Sequence, residues 1–114
     1  MVISMDIVNQ IQYLQKQLDK SIKLLRQTGE EYARAYTDYR VALAKELLQL
    51  KNEGYAITLA GDIARGKPEI AKLKFKEIST EAIYKANLES INALKLELKV
   101  LMNQYDKEWG NTNE

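Results

Sequence analysis

Neither cysteine nor histidine occurs among the 114 residues, and proline occurs once. Without cysteine there is no disulfide, thiolate nucleophile or cysteine-based zinc site. Without histidine the commonest general base and the commonest metal ligand are gone. Carboxylates, lysines and tyrosines remain, but chemistry built on them needs a rigid concave scaffold that a thin helical protein does not offer. No catalytic residue, metal ligand or cofactor is therefore assigned, and the chain is not expected to be an enzyme. Long apolar runs are missing as well: no stretch approaches the roughly 20 apolar residues that span a bilayer. The start, Met1 to Asp6, lacks the basic and apolar regions of a secretory signal. No membrane partner is expected, and the cytoplasm is the expected location. One Phe and one Trp accompany seven Tyr, a balance suited to wet or amphipathic interfaces.

What is present is helical periodicity. A single seam runs through Ile7, Ile11, Leu14, Leu18, Ile22, Leu25, Gly29, Tyr32, Tyr36, Tyr39, Leu43, Leu47 and Leu50. Every step is three or four residues, which excludes the alternation of strands and predicts a helix over 5–52. Thr28-Gly29 is its weak point, since Gly costs about 1 kcal/mol in a helix interior. The seam passes Gly29 in phase, so continuity is favoured over a break. Gly54 fits a helix stop. The connector, 53–67, suits a short helix capped by Thr58 and ended by Gly66. Pro68 is tolerated in a first helical turn and opens a helix over 68–109. This helix has one apolar line from Leu73 through Tyr84, Ile91 and Leu98 to Tyr105. A second set, Phe75, Ile78, Ala82, Ala86, Ala93, Leu96 and Val100, widens its apolar face. The tail, 110–114, is polar and expected to fray. The fold expected is all-α: a single domain, 1–114, forming a long antiparallel helical hairpin with a short helical connector. Such a hairpin is thin and buries little, so association into an oligomeric helical bundle, a dimer or higher, is expected. Phe75, Ile78, Leu96, Val100 and Trp109 are the candidate oligomer contacts.

The charge is balanced overall, 17 Lys+Arg against 16 Asp+Glu, but unevenly placed. Residues 65–76 hold five basic side chains against Glu69, a net +4, while residues 77–114 hold four basic and seven acidic, a net −3. Arg65, Gly66, Lys67, Lys72 and Lys74 are the candidate ligand- or partner-binding residues. Gly61 to Lys67 has the G-x-x-x-x-G-K spacing of a phosphate-binding loop, but Pro68 stands where the magnesium-binding Ser or Thr belongs. A nucleotide-hydrolysing loop is thereby excluded, leaving a turn or simple anion binding at a helix start. Tyr32 and Tyr36, with Arg34 and Arg40 beside them, form a possible secondary surface that stacks bases or grips a partner. Their seam positions make core packing the stronger reading for the tyrosines.

The run Tyr39-Arg40-Val41-Ala42-Leu43-Ala44-Lys45-Glu46, then Gly61-Asp62-Ile63-Ala64-Arg65-Gly66, then Ile91-Asn92-Ala93-Leu94-Lys95-Leu96-Glu97-Leu98 and Glu108-Trp109, resembles short all-helical accessory proteins of phages and prophages of Gram-positive bacteria. The resemblance implies a phage-encoded cytoplasmic accessory protein and carries no activity over to single residues. Three readings follow. The first is a non-enzymatic binder that inhibits a host defence factor or sequesters an anionic, nucleotide-like ligand. The second is a single-stranded nucleic-acid-binding accessory protein of phage replication or recombination, and the third is a structural oligomer or assembly factor.

Overall fold

A computed structural model describes residues 5–113, which form three helices: α1 (Met5–Asn52), α2 (Ile57–Gly66) and α3 (Pro68–Asn113). No strand occurs among the described residues. Helix α1 passes Thr28-Gly29 unbroken. Helix α3 continues beyond Trp109 to Asn113, because Gly110 lowers helix propensity without removing a backbone donor; Glu114 lies outside the described residues.

Two short passages of backbone set the order of helices. At the end of α1, Gly54 has φ +99°, its N–H donates to the Lys51 carbonyl at 3.0 Å, and the Tyr55 N–H donates to the Leu50 carbonyl at 3.2 Å. This is the paired bonding that closes a helix on a left-handed glycine. The second passage is the single residue Lys67. Its N–H closes α2 on the Ala64 carbonyl at 3.2 Å, and its carbonyl receives the Ile70 and Ala71 N–H groups that begin α3. Pro68 lacks an N–H and fills the first position of α3, where no partner would exist for one. Thr58, expected as a cap, lies inside α2; the cap is Ala56, which offers no side-chain bond.

The chain divides into two compact units. The first joins the chain up to Arg26 with the chain from Lys85 onward. Its buried apolar residues are Ile7 and Ile91, with half-buried Ile11, Leu14, Leu18, Leu25, Leu94, Leu98 and Leu101 beside them. Asn87 Nδ2 donates to the Ser21 carbonyl at 3.0 Å, while Val8 and Ile11 share a groove with Met102 and Tyr105, so these two segments run in opposite directions. Full burial of a Leu or Ile side chain stabilises by about 1.5–3 kcal/mol, and the half-buried ones contribute a part of that.

The second unit, Gln27–Tyr84, has a core of Tyr39, Leu43, Leu50, Ala60, Ala64 and Ile70, covered by Ala42, Leu47, Ile63 and Leu73. Ala60 and Ala64 are small enough for α2 to lie close on the end of α1; Ala64 is wholly buried. Away from this core the packing turns polar. Thr28, Glu77 and Asn87 are the buried polar residues of the described chain, the first two in this unit.

The inward positions of α1 correct the seam read from apolar residues alone. Ser21, Thr28 and Ala35 are turned inward where Ile22, Gly29 and Tyr36 were expected; Ile22 and Tyr36 are exposed, and Gly29 is half-buried. The buried and half-buried line Ile7, Ile11, Leu14, Leu18, Ser21, Leu25, Thr28, Tyr32, Ala35, Tyr39 and Ala42 alternates strictly between steps of four and three. That regularity is a repeat of seven residues in two turns, and it selects small side chains where bulkier apolar neighbours exist.

Candidate partner-binding surfaces

The five residues read as an anion site do not converge. Lys67 Nζ is ion-paired with the Glu46 carboxylate, and that bond holds the Lys67 ammonium above its ordinary pKa against the opposing effect of burial. Lys74 Nζ lies 3.0 Å from Glu77 Oε2 and 4.8 Å from the centre of the Tyr39 ring. The Glu77 bond raises its pKa likewise. Glu77 is buried, so Lys74 serves first to neutralise a carboxylate held out of water. The Arg65 guanidinium folds back over Gly61, where a Cβ would meet Arg65 Nη1 at 2.9 Å. Gly66 and Lys72 are exposed. Two of the four cations are thus engaged with carboxylates of this same chain, and Arg65 and Lys72 remain turned to solvent.

The tyrosine set separates as well. Tyr39 belongs to the core, while Tyr36 is exposed and touches Tyr32 edge-on at 6.4 Å between ring centres. Tyr32 stacks on Tyr84 at 5.9 Å and donates its hydroxyl to Glu81 Oε2 at 2.6 Å. This bond, with burial and the Glu81 charge adding to it, pushes the Tyr32 pKa up to about 12. The same Tyr84 ring lies where a Cβ on Gly29 would stand 3.3 Å away, so the glycine read as a weak point gives room to an aromatic side chain. Arg34 and Arg40 are exposed; Arg34 shares an open, mixed-charge groove with Glu31, Asp38 and Lys76. Tyr32 is therefore a packing residue, and the remaining members are spread over the surface.

The apolar surface is more distinctive. Phe75, Ile78, Leu96, Val100 and Trp109 are all exposed, Phe75 by 73% and Leu96 by 63%. In the first unit Leu96 and Val100 line an open groove of about 470 Å³ with Tyr13, Leu14 and Leu101. In the second unit Ala44, Leu47, Leu48, Ile57 and Ala60 line an apolar groove of about 350 Å³ with Lys51 at its edge. Leu47 and Ile57 also line the adjoining groove that holds Gly61, Asp62 and Arg65. Leu48 and Ile57 are 60% and 72% exposed. This second groove was not read from the sequence. The signal for it was present in Tyr55-Ala56-Ile57-Thr58-Leu59, an apolar stretch too short to bury every side chain.

Among the described residues no helix is long and apolar enough to cross a membrane, and no group of three or more acidic residues is placed to hold a metal ion. No family model, curated protein or solved structure matches the chain.

Proposed function

We propose that this chain is a non-enzymatic accessory binding protein of the cytoplasm, a helical hairpin that associates with itself and captures a partner protein at its connector end. The observation that carries this reading is the apolar groove of Ala44, Leu47, Leu48, Ile57 and Ala60, whose Leu48 and Ile57 side chains stand mostly in solvent beside Lys51 and Arg65. Exposed apolar side chains gathered in a groove and rimmed by charge fit an amphipathic helix laid into it. The two cations select a helix with acidic flanks. The resemblance to phage accessory proteins favours a host factor as the source of that helix.

Capture of a small anion is less favoured, because Lys67 and Lys74 are committed to Glu46 and Glu77. Single-stranded nucleic acid meets the same objection. The test compares proteins recovered with the tagged wild-type chain and with Leu48→Glu/Ile57→Glu and Arg65→Ala/Lys72→Ala variants, all checked for equal helicity. The reading requires a partner protein that is lost in the first variant, weakened in the second and unaffected by Lys16→Glu. Binding abolished by Arg65→Ala/Lys72→Ala yet untouched by the groove substitutions, and sensitive to salt, would instead support an anionic ligand.

A further inference from the structure

We infer that α3 carries a second helix-packing seam, opposite the one it uses within the chain, and that the occupant of this seam is α3 of a second copy running antiparallel. The inference rests on the self-association proposed above and specifies its geometry.

The inner side of α3 is fixed by burial: Leu73, Glu77, Tyr84, Ile91, Leu98 and Tyr105 are all buried or half-buried. Because α3 is one helix, its periodicity alone places residues two positions beyond these on the other side. Two positions before or after the inner residues lie Phe75, Ala82, Ala86, Ala93, Leu96 and Val100, interrupted by the polar Ser79 and Glu89. The six apolar residues are all exposed, and they too follow steps of three, four or seven residues. Helix α1 has no such second line; its corresponding outer positions, among them Asn9, Lys16, Lys23, Glu30 and Thr37, are mostly polar, with Tyr13, Val41 and Ala44 among the exceptions. A helix apolar on two opposite sides needs two neighbours, and the chain supplies one.

The identity of the second neighbour follows from the order of residues along this line. With a two-fold axis between Asn87 and Leu88, Phe75 meets the partner's Val100, Ser79 meets the partner's Leu96, and Ala82 meets the partner's Ala93. Large side chains close the two ends, and alanines let the backbones approach in the middle. Glu89, the one acid on the line, falls beside the axis against the partner's Ala86, which leaves its carboxylate room to bend to solvent. On the flank, the same axis sets Lys76 within one helical turn of the partner's Glu97, and symmetry repeats the pair. Charge selects the direction. The pairing of Lys76 with the partner's Glu97 exists only when the two helices run in opposite directions, since the two residues lie far apart along one chain. Parallel packing would set Lys72 and Lys76 against their own copies.

The absence of cysteine makes the test clean. Ala82→Cys and Ala93→Cys chains are prepared separately, as each residue is exposed, and oxidised with glutathione disulfide alone and after mixing; native mass spectrometry reads the products. The expected result is a wild-type mass of two chains, a disulfide-linked dimer only in the mixture, and a monomer for Leu96→Glu with helicity retained. Ala82→Cys chains that cross-link to themselves would overturn the antiparallel register while leaving self-association standing. A Leu96→Glu chain that remains a dimer would overturn the seam, and a wild-type monomer would overturn both the seam and the self-association on which it rests.

Discussion

The two long helices, α1 (Met5–Asn52) and α3 (Pro68–Asn113), are nearly equal in length and opposite in design. Helix α1 keeps one side for packing and carries mostly polar residues on the other, with Tyr13, Val41 and Leu48 exposed among them. It even turns Ser21, Thr28 and Ala35 inward while leaving Ile22 and Tyr36 outside. Helix α3 packs on one side through Ile91, Leu94 and Leu98 and shows Phe75, Leu96 and Val100 on the other. Amphipathicity in the usual sense describes α1 alone. Low contrast between the faces of α3 follows from apolar residues on both of its sides.

The largest effect that sharpens this comparison lies within α3. Ile91→Ala removes a buried side chain and is expected to cost about 2–5 kcal/mol. Leu96→Ala, one and a half turns away, should change the stability of a dilute, monomeric sample by no more than about 0.5 kcal/mol. Urea unfolding at low protein concentration measures both. Equal losses would show that the outer side of α3 is packed within the chain. A smaller effect is expected at Asn87→Ala, which removes the bond to the Ser21 carbonyl and should cost about 1 kcal/mol in the same measurement.

The smallest effect is confined to alkaline solution. The folded chain holds the Tyr32 proton up to about 12 against an ordinary value of 10.0. Unfolding therefore favours loss of that proton between these values, and the stability the Tyr32–Glu81 bond contributes is complete below pH 10 and disappears as the pH rises through 12. Lys67 and Lys74, also raised, act in the same direction from the ordinary lysine value upward. Tyr32→Phe should melt lower than wild type at neutral pH and lose less on going from pH 10 to 12. Parallel curves for the two proteins would show that the Tyr32 hydroxyl contributes nothing to alkaline unfolding.

Helix content was legible because steps of three and four residues leave little choice. The close of α1 at Gly54 and the start of α3 at Pro68 follow from backbone chemistry that few other residues provide. Which residues face inward was less legible. Reading the seam by hydrophobicity chose Ile22 over Ser21 and Tyr36 over Ala35, whereas the strict alternation of steps from Ile7 leads to the smaller residue each time. The basic cluster was visible as composition, but Lys67 meets Glu46 across 21 positions of chain, and no local pattern announces such a pair. The end groove needed the fold of α2 on α1 before Leu48 and Ile57 came onto one surface.

Hydroxyl-radical footprinting of the wild-type chain over a range of protein concentrations tests the central claim, that α3 and not α1 offers the second packing side. The account predicts growing protection of Phe75, Leu96 and Val100 with concentration, and constant reactivity at Leu24 and Tyr36 on α1. Protection that grows on α1 while α3 stays reactive would contradict it.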